Sequence, residues 1–187
     1  MAMESSLKNM SLCLLVICLV CSSLLAGSYA LTKAPIDAAD KLKTEKAIKA
    51  VLPFNGGTEV SEKLTVVVSD KNFNYYQAND ADGLVGYAIE SSAVGFGGQL
   101  KLMVGITADG IIYNTSVLSQ SETPGLGAKC TEAVFADQFK GVDPSKKKLA
   151  VKKDQGDFDA ITASTITSRA YIKAVQTAVD VFTELNK

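Results

Sequence analysis

Hydrophobic and polar positions fall into three regimes along the chain. Between Lys8 and Lys33 no charged residue occurs, and Leu12, Leu14, Leu15, Val16, Ile17, Leu19, Val20, Leu24 and Leu25 dominate. That window is long enough to cross a hydrocarbon core, which takes about 20 residues of helix. It predicts a single transmembrane helix over 11–32, behind a tail at 1–10. A cleaved signal peptide is the rival reading, because Ser28, Tyr29 and Ala30 loosely resemble a small-residue cleavage site. The apolar run is longer than such a signal uses, and Tyr29 suits an interfacial anchor, so a retained helix is the expectation. The next segment, 33–53, predicts a juxtamembrane helix. Pro35 suits its first position, Ile36, Ala39, Leu42, Ile48 and Val51 supply its apolar side, and Pro53 ends it.

From Leu64 the period shortens, and runs rich in Val, Ile and Tyr predict strands over 64–68, 84–90, 100–106 and 111–118. Gly95, Gly97 and Gly98, then Asp109 and Gly110, supply the turns. Strands this close cannot be parallel, because a parallel crossover needs a dozen or more residues. A short helix over 131–139, stopped by Gly141, and a strand over 149–151 follow. In the last regime Ile172, Val175, Val179 and Phe182 recur at helical spacing, with Lys173, Gln176, Asp180 and Glu184 opposite. The fold class is α+β, an antiparallel sheet flanked by helices over 54–187 and preceded by the single N-terminal transmembrane helix.

Composition narrows the chemistry. The 187 residues carry 19 basic and 20 acidic side chains without a basic block, which argues against a nucleic-acid partner. There is no His, so a His triad, a His metal ligand and a His proton shuttle are excluded. Of the four Cys, Cys13, Cys18 and Cys21 lie in the apolar N-terminal run and only Cys130 lies beyond it. One thiolate cannot hold a metal or an iron–sulfur cluster, and Cys130 reads as a small buried apolar residue. No metal site and no acid–base catalytic residue is expected.

Candidate chemistry sits in two stretches. Ahead of the C-terminal helix stand Asp159, Thr162, Ser164, Thr165, Thr167, Ser168 and Arg169. Backbone N–H groups at a helix start lack intrahelical partners and favour an anion, yet the charged residue here is the cation Arg169. On helical geometry Thr162, Thr165 and Arg169 would share one face and could surround a phosphate. The hydroxyls could equally be ordinary N-caps. The second stretch is Glu122, Thr123, Pro124, Gly125, Leu126 and Gly127, where Pro124 and Gly125 predict a tight turn and Gly127 leaves room for close backbone approach. It could be a plain strand-to-helix connection or a seat for a flat ligand.

Both stretches resemble the signatures of the FMN-binding domain family. In that family an Asp precedes a Ser/Thr-Gly-Ala/Ser-Thr run whose final Thr is esterified to the FMN phosphate by a flavin transferase. Asp159, Thr162, Ser164 and Thr165 match it in turn, which implies that Thr165 carries covalent FMN; Ala163 stands where the pattern has Gly. The Glu-Thr-Pro-Gly-Leu-Gly run resembles the signature whose loop lines the isoalloxazine ring, and Gly86, Tyr87, Ala88 and Ile111, Ile112, Tyr113 extend the likeness over most of 31–187. Thr162, Ser164, Thr167, Ser168 and Arg169 would then be neighbours of the phosphate, with Glu122, Thr123, Gly125, Leu126 and Gly127 beside the ring.

Length, the lone apolar helix and both motifs are most similar to the G subunits of Rnf-type ferredoxin:NAD ion-translocating complexes. The C subunits of sodium-pumping NADH:quinone reductases share the motifs on a usually longer chain. The resemblance implies a membrane-anchored electron carrier, not catalytic alone, that works beside other membrane, iron–sulfur and flavin subunits. Its FMN-binding domain would lie outside the cytoplasm of a bacterial cell. A flavoprotein reductase module and a noncatalytic exported binding domain stand as the other readings.

Overall fold

The computed structural model describes residues 7–54, 57–81 and 83–187; of the expected tail at 1–10, residues 1–6 lie outside the described residues. Helix α1 (Leu7–Val51) is one uninterrupted element of 45 residues with Pro35 inside it. This corrects the expected break ahead of a separate juxtamembrane helix. Proline deletes one i→i−4 hydrogen bond and crowds the preceding turn. Ala30, Leu31, Lys33 and Ala34 before it, and Ala38, Ala39 and Lys41 after it, are strong helix formers that carry the helix across. Residues 7–43 are exposed, and α1 contains a stretch long and apolar enough to cross a membrane.

The chain divides into two compact units after Leu42. The second is built on six antiparallel strands: β1 (Glu59–Val60), β2 (Leu64–Val68), β3 (Lys71–Asp80), β4 (Gly83–Val94), β5 (Gln99–Thr107) and β6 (Ile112–Ser119). The order is β1-β3-β4-β5-β6, and β2 also pairs with β3. Strand β3 is unexpected, because Lys71, Asn72, Asn74, Gln77 and Asn79 are poor strand formers. Pairing decides its conformation. A two-residue hairpin at Ser69 and Asp70, with φ of 49° and 60°, folds it back on β2, and β4 takes its other edge from Tyr75 onward.

Side chains alternate across the sheet as the pleat requires. On one face Tyr87, Ile89, Leu100, Leu102, Val104 and Ile106 pack with Tyr171, Val175, Ala178 and Val181 of the last helix, α3 (Thr165–Leu185). On the other, Ala78, Ala88 and Met103 pack with Ala47, Ile48 and Val51 at the end of α1. Tyr171 joins the sheet through a buried 2.7 Å hydrogen bond with Thr115, and burial raises its phenol far above the usual range. The expected helix over 131–139 is shorter: α2 (Ala133–Ala136) lies between 3-10 turns at Gly127–Thr131 and Asp137–Phe139. The expected strand at 149–151 reduces to one bridge, Val151 with Phe158, beneath the Phe139–Phe158 stack.

Gly105 marks the tightest passage, since a Cβ there would come within 1.8 Å of the Val51 carbonyl oxygen. Backbone is on the other side, so no rotamer change can relieve the clash. Gly105→Ala is expected to lower stability by about 1–3 kcal/mol, as overpacking in a filled core does. Denaturant unfolding followed by circular dichroism measures the loss.

Candidate functional site

The path into α3 is set by one residue. Ala163 adopts φ 61°, the left-handed region, so the backbone turns before the helix begins at Thr165. An alanine there costs about 1–2 kcal/mol relative to the right-handed conformation. Ser168 holds the turn: its Oγ donates to the Ser164 carbonyl and accepts from the Ile161 N–H, both at 2.9 Å. The turn puts Thr162 outside the helix and exposed, facing a cavity shared with Lys129, Glu132 and Gln138. Thr162, Thr165 and Arg169 therefore do not share a helical face.

Arg169 lies away from the others as well. Its Nε and a terminal nitrogen donate to the two Asp154 oxygens at 2.7 and 2.8 Å, an exposed fork that holds the Asp154 carboxyl below the usual carboxylate range. The bidentate geometry commits one edge of the guanidinium to Asp154.

What remains at the helix start is an unfinished terminus. Ser164 is the N-cap residue but makes no side-chain capping bond, and the first turn holds no acidic residue. The ordinary capping role of these hydroxyls is not what the structure contains. Thr165 is half-buried, and among the described residues its hydroxyl has no hydrogen-bond partner. Thr167 is committed elsewhere: its Oγ1 donates to Glu122 Oε2 at 2.7 Å.

That bond joins α3 to the second stretch. Leu126 N–H donates to the Thr123 carbonyl across Pro124 and Gly125, and Gly125 has φ 75°, so the loop is a type II turn with glycine where positive φ is required. Gly125 has open space around it and serves the turn rather than the cavity. Glu122 is buried, and its Oε1 accepts from the Gly97 N–H at 3.2 Å in the β4–β5 hairpin. A Cβ on Gly127 would lie 2.5 Å from Glu122 Oε2, and one on Gly95 would lie 2.1 Å from Glu122 Oε1. The carboxyl thus ties three segments together in a space only glycine leaves open. Cys130 lies close by and fully buried; burial, reinforced by the Glu122 charge, pushes its thiol up to about 11. It is a packing residue, not a nucleophile.

The three segments enclose a cavity of about 410 Å³. Of the expected residues, Glu122, Thr123, Leu126, Gly127, Ser164, Thr165 and Thr167 line it; Thr162, Ser168, Arg169 and Gly125 do not. Three further liners, Phe96, Ala163 and Ile166, lie outside the sequence expectation. Phe96 is 72% exposed, an aromatic held up by glycines on a hairpin with no core beneath it. Its isolation among Gly95, Gly97 and Gly98 is the signal that could have found it. Free helix N–H groups favour an anion, and Phe96, Leu126 and Ile166 offer apolar surface. Those features fit a phosphorylated ligand with a flat aromatic ring, such as FMN.

Comparison with known proteins agrees. The sequence matches the FMN-binding domain over residues 95–180. It is 35% identical to the G subunit of the ion-translocating oxidoreductase complex of Methanosarcina acetivorans, over 89% of each chain. It is 34% identical to the G subunit of the same kind of complex from Aliivibrio fischeri, over 95% of this chain and 90% of that one. The G subunit of the proton-translocating ferredoxin:NAD(+) oxidoreductase complex of Clostridium ljungdahlii is 31% identical, over 89% and 86%. Among solved structures, the C subunit of the Na(+)-translocating NADH-quinone reductase from Parabacteroides distasonis superposes with a TM-score of 0.48 at 21% identity, over 74% of this chain and 79% of that one. From its sequence likeness over nearly the whole length of these relatives, the chain belongs to the FMN-binding domain family, among the G subunits of ion-translocating oxidoreductase complexes.

Proposed function

We propose that this chain is the membrane-anchored electron-transfer subunit of an ion-translocating ferredoxin:NAD oxidoreductase complex, carrying FMN as a phosphoester on Thr165. The observation that carries the reading is the meeting of two distant motifs at one cavity, with a half-buried hydroxyl at an uncapped helix start between them. FMN supplies one- and two-electron transfer when bound. The chain's own residues hold and shield it. Backbone N–H groups of the first α3 turn would hold the phosphate, and Phe96, Leu126 and Ile166 would supply apolar surface for the ring. The Glu122–Thr167 bond fixes the angle at which α3 presents Thr165.

A covalent link answers a retention problem. Where free FMN is scarce, mass action empties a noncovalent site between encounters, and an ester does not depend on free ligand. Attachment requires a flavin transferase, and Ala163 supports its action, since its left-handed conformation already has the shape a glycine would give. The apolar part of α1 anchors the chain in the membrane, with the FMN domain on the extracytoplasmic side, where other membrane, iron–sulfur and flavin subunits pass it electrons. The relatives support the complex, since their names describe subunits of multi-subunit translocating oxidoreductases.

Thr165→Ala, made in cells that carry the transferase, is expected to remove the FMN mass increment and the in-gel flavin fluorescence of the denatured chain, while Thr162→Ala keeps both. Full-strength fluorescence in Thr165→Ala would move the attachment elsewhere. Glu122→Gln is expected to weaken the hydrogen bond to Thr167 by about 1–2 kcal/mol, the margin by which a charged partner exceeds a neutral one. Lower unfolding midpoint and lower flavin occupancy are the readouts. Sidedness is read from Lys147→Cys on an exposed turn, in a chain whose exposed Cys13, Cys18 and Cys21 are replaced by Ser and whose Cys130 is buried; it is expected to react with a membrane-impermeant maleimide in intact spheroplasts.

A further inference from the structure

Strand β3 exchanges partners halfway along its length. From Tyr75 to Asp80 one edge pairs with β4, but from Lys71 to Asn74 it is laddered to β2 alone. Strand β4 beyond Ile89 is likewise laddered to β5 alone. Two facing edges, 71–74 and 90–94, therefore have no hydrogen-bond ladder between them. The gap is a slot of about 610 Å³, larger than the cavity beside Thr165 and distinct from it. Asn74 Nδ2 donates to Glu90 Oε2 at 2.9 Å and closes its inner end.

Two observations point to an occupant. Lys71, Lys101 and Lys173 line the slot, all exposed, and among the described residues none forms an ion pair. The one acid in the lining, Glu90, already accepts from Asn74 and from Tyr76. Ser91 also lines the slot at 4% exposure, and its Oγ is the one buried side-chain polar atom among the described residues with no hydrogen-bond partner. Such a group calls for a partner not yet in place.

We propose that the slot receives an extended, acidic segment of a neighbouring subunit, which adds a strand between β3 and β4. Facing strand edges are templates for a further strand, and main-chain bonding of this kind is an established mode of peptide recognition. A small anion would satisfy the lysines but leave both edges bare, so an extended chain uses more of what the slot offers. Three cations against one committed carboxylate set the sign of the partner. The inference rests on the complex reading only in requiring a neighbour. The slot also borders the flavin cavity through one hairpin, since Val94 lines the first and Phe96 the second.

Hydrogen exchange of the full chain, alone in detergent and within the purified complex, tests this together with a photocrosslinking amino acid at position 94. Amides over 90–94 are expected to exchange more slowly in the complex by about tenfold or more. The crosslink should map to an acidic extended segment of another subunit. Lys71→Glu, Lys101→Glu and Lys173→Glu combined should abolish both signals while flavin loading, which uses none of these residues, stays intact. If the chain co-purifies with its complex but 90–94 shows no added protection, the slot is not an interface and the complex reading survives. If it co-purifies with no other subunit, the complex reading itself fails. Protection of the isolated chain by inorganic polyphosphate, with none from the complex, would make the slot an anion site and overturn the strand.

Discussion

A buried carboxyl organises the functional end of this molecule. Glu122 accepts from Gly97 on one side and from Thr167 on the other, so the β4–β5 hairpin, the type II turn and the first turn of α3 share one fixed point. A buried carboxyl with missing partners is costly, and each neighbour must come close enough to satisfy it. That demand explains the glycines at 95 and 127, where any side chain would collide with its oxygens. Cavity, helix angle and hairpin position all follow from the same constraint.

Around that point the fold divides labour. The sheet with α3 on one face and the end of α1 on the other supplies rigidity, through two apolar clusters that lie on opposite sides of β3, β4, β5 and β6. Arg169, which by residue type resembles part of the ligand site, serves the fold instead by fastening α3 to the segment at Asp154. The electron-transfer role then needs no acid or base from the protein, only a fixed seat with apolar surface beside it.

Much of this is legible in the sequence, and the exceptions have physical causes. Strands β4, β5 and β6 and helix α3 announce themselves because half-buried strands alternate and amphipathic helices repeat every three to four residues. Strand β3 carries only a short signal, Phe73 and Tyr75 alternating with Asn72 and Asn74, and its Asn and Lys residues acquire strand geometry from neighbours on both edges. Helical spacing misplaces Thr162 when it is extended through Ala163, because a single left-handed residue breaks that spacing. The Glu122 tie is invisible in one dimension, because it depends on glycines and a threonine converging from three separate segments. Pro35 misleads for a simpler reason: the same residue suits a helix start and is tolerated within a strong helix.

Pro35 has one further consequence. With no N–H at 35, the carbonyl of Leu31 loses its helical donor just before Lys33, where the uncharged run ends. In the hydrocarbon interior a bare carbonyl is expensive, whereas among lipid headgroups water can hydrate it. For a helix that spans the bilayer, the deletion falls at the depth where solvent can make good the missing bond.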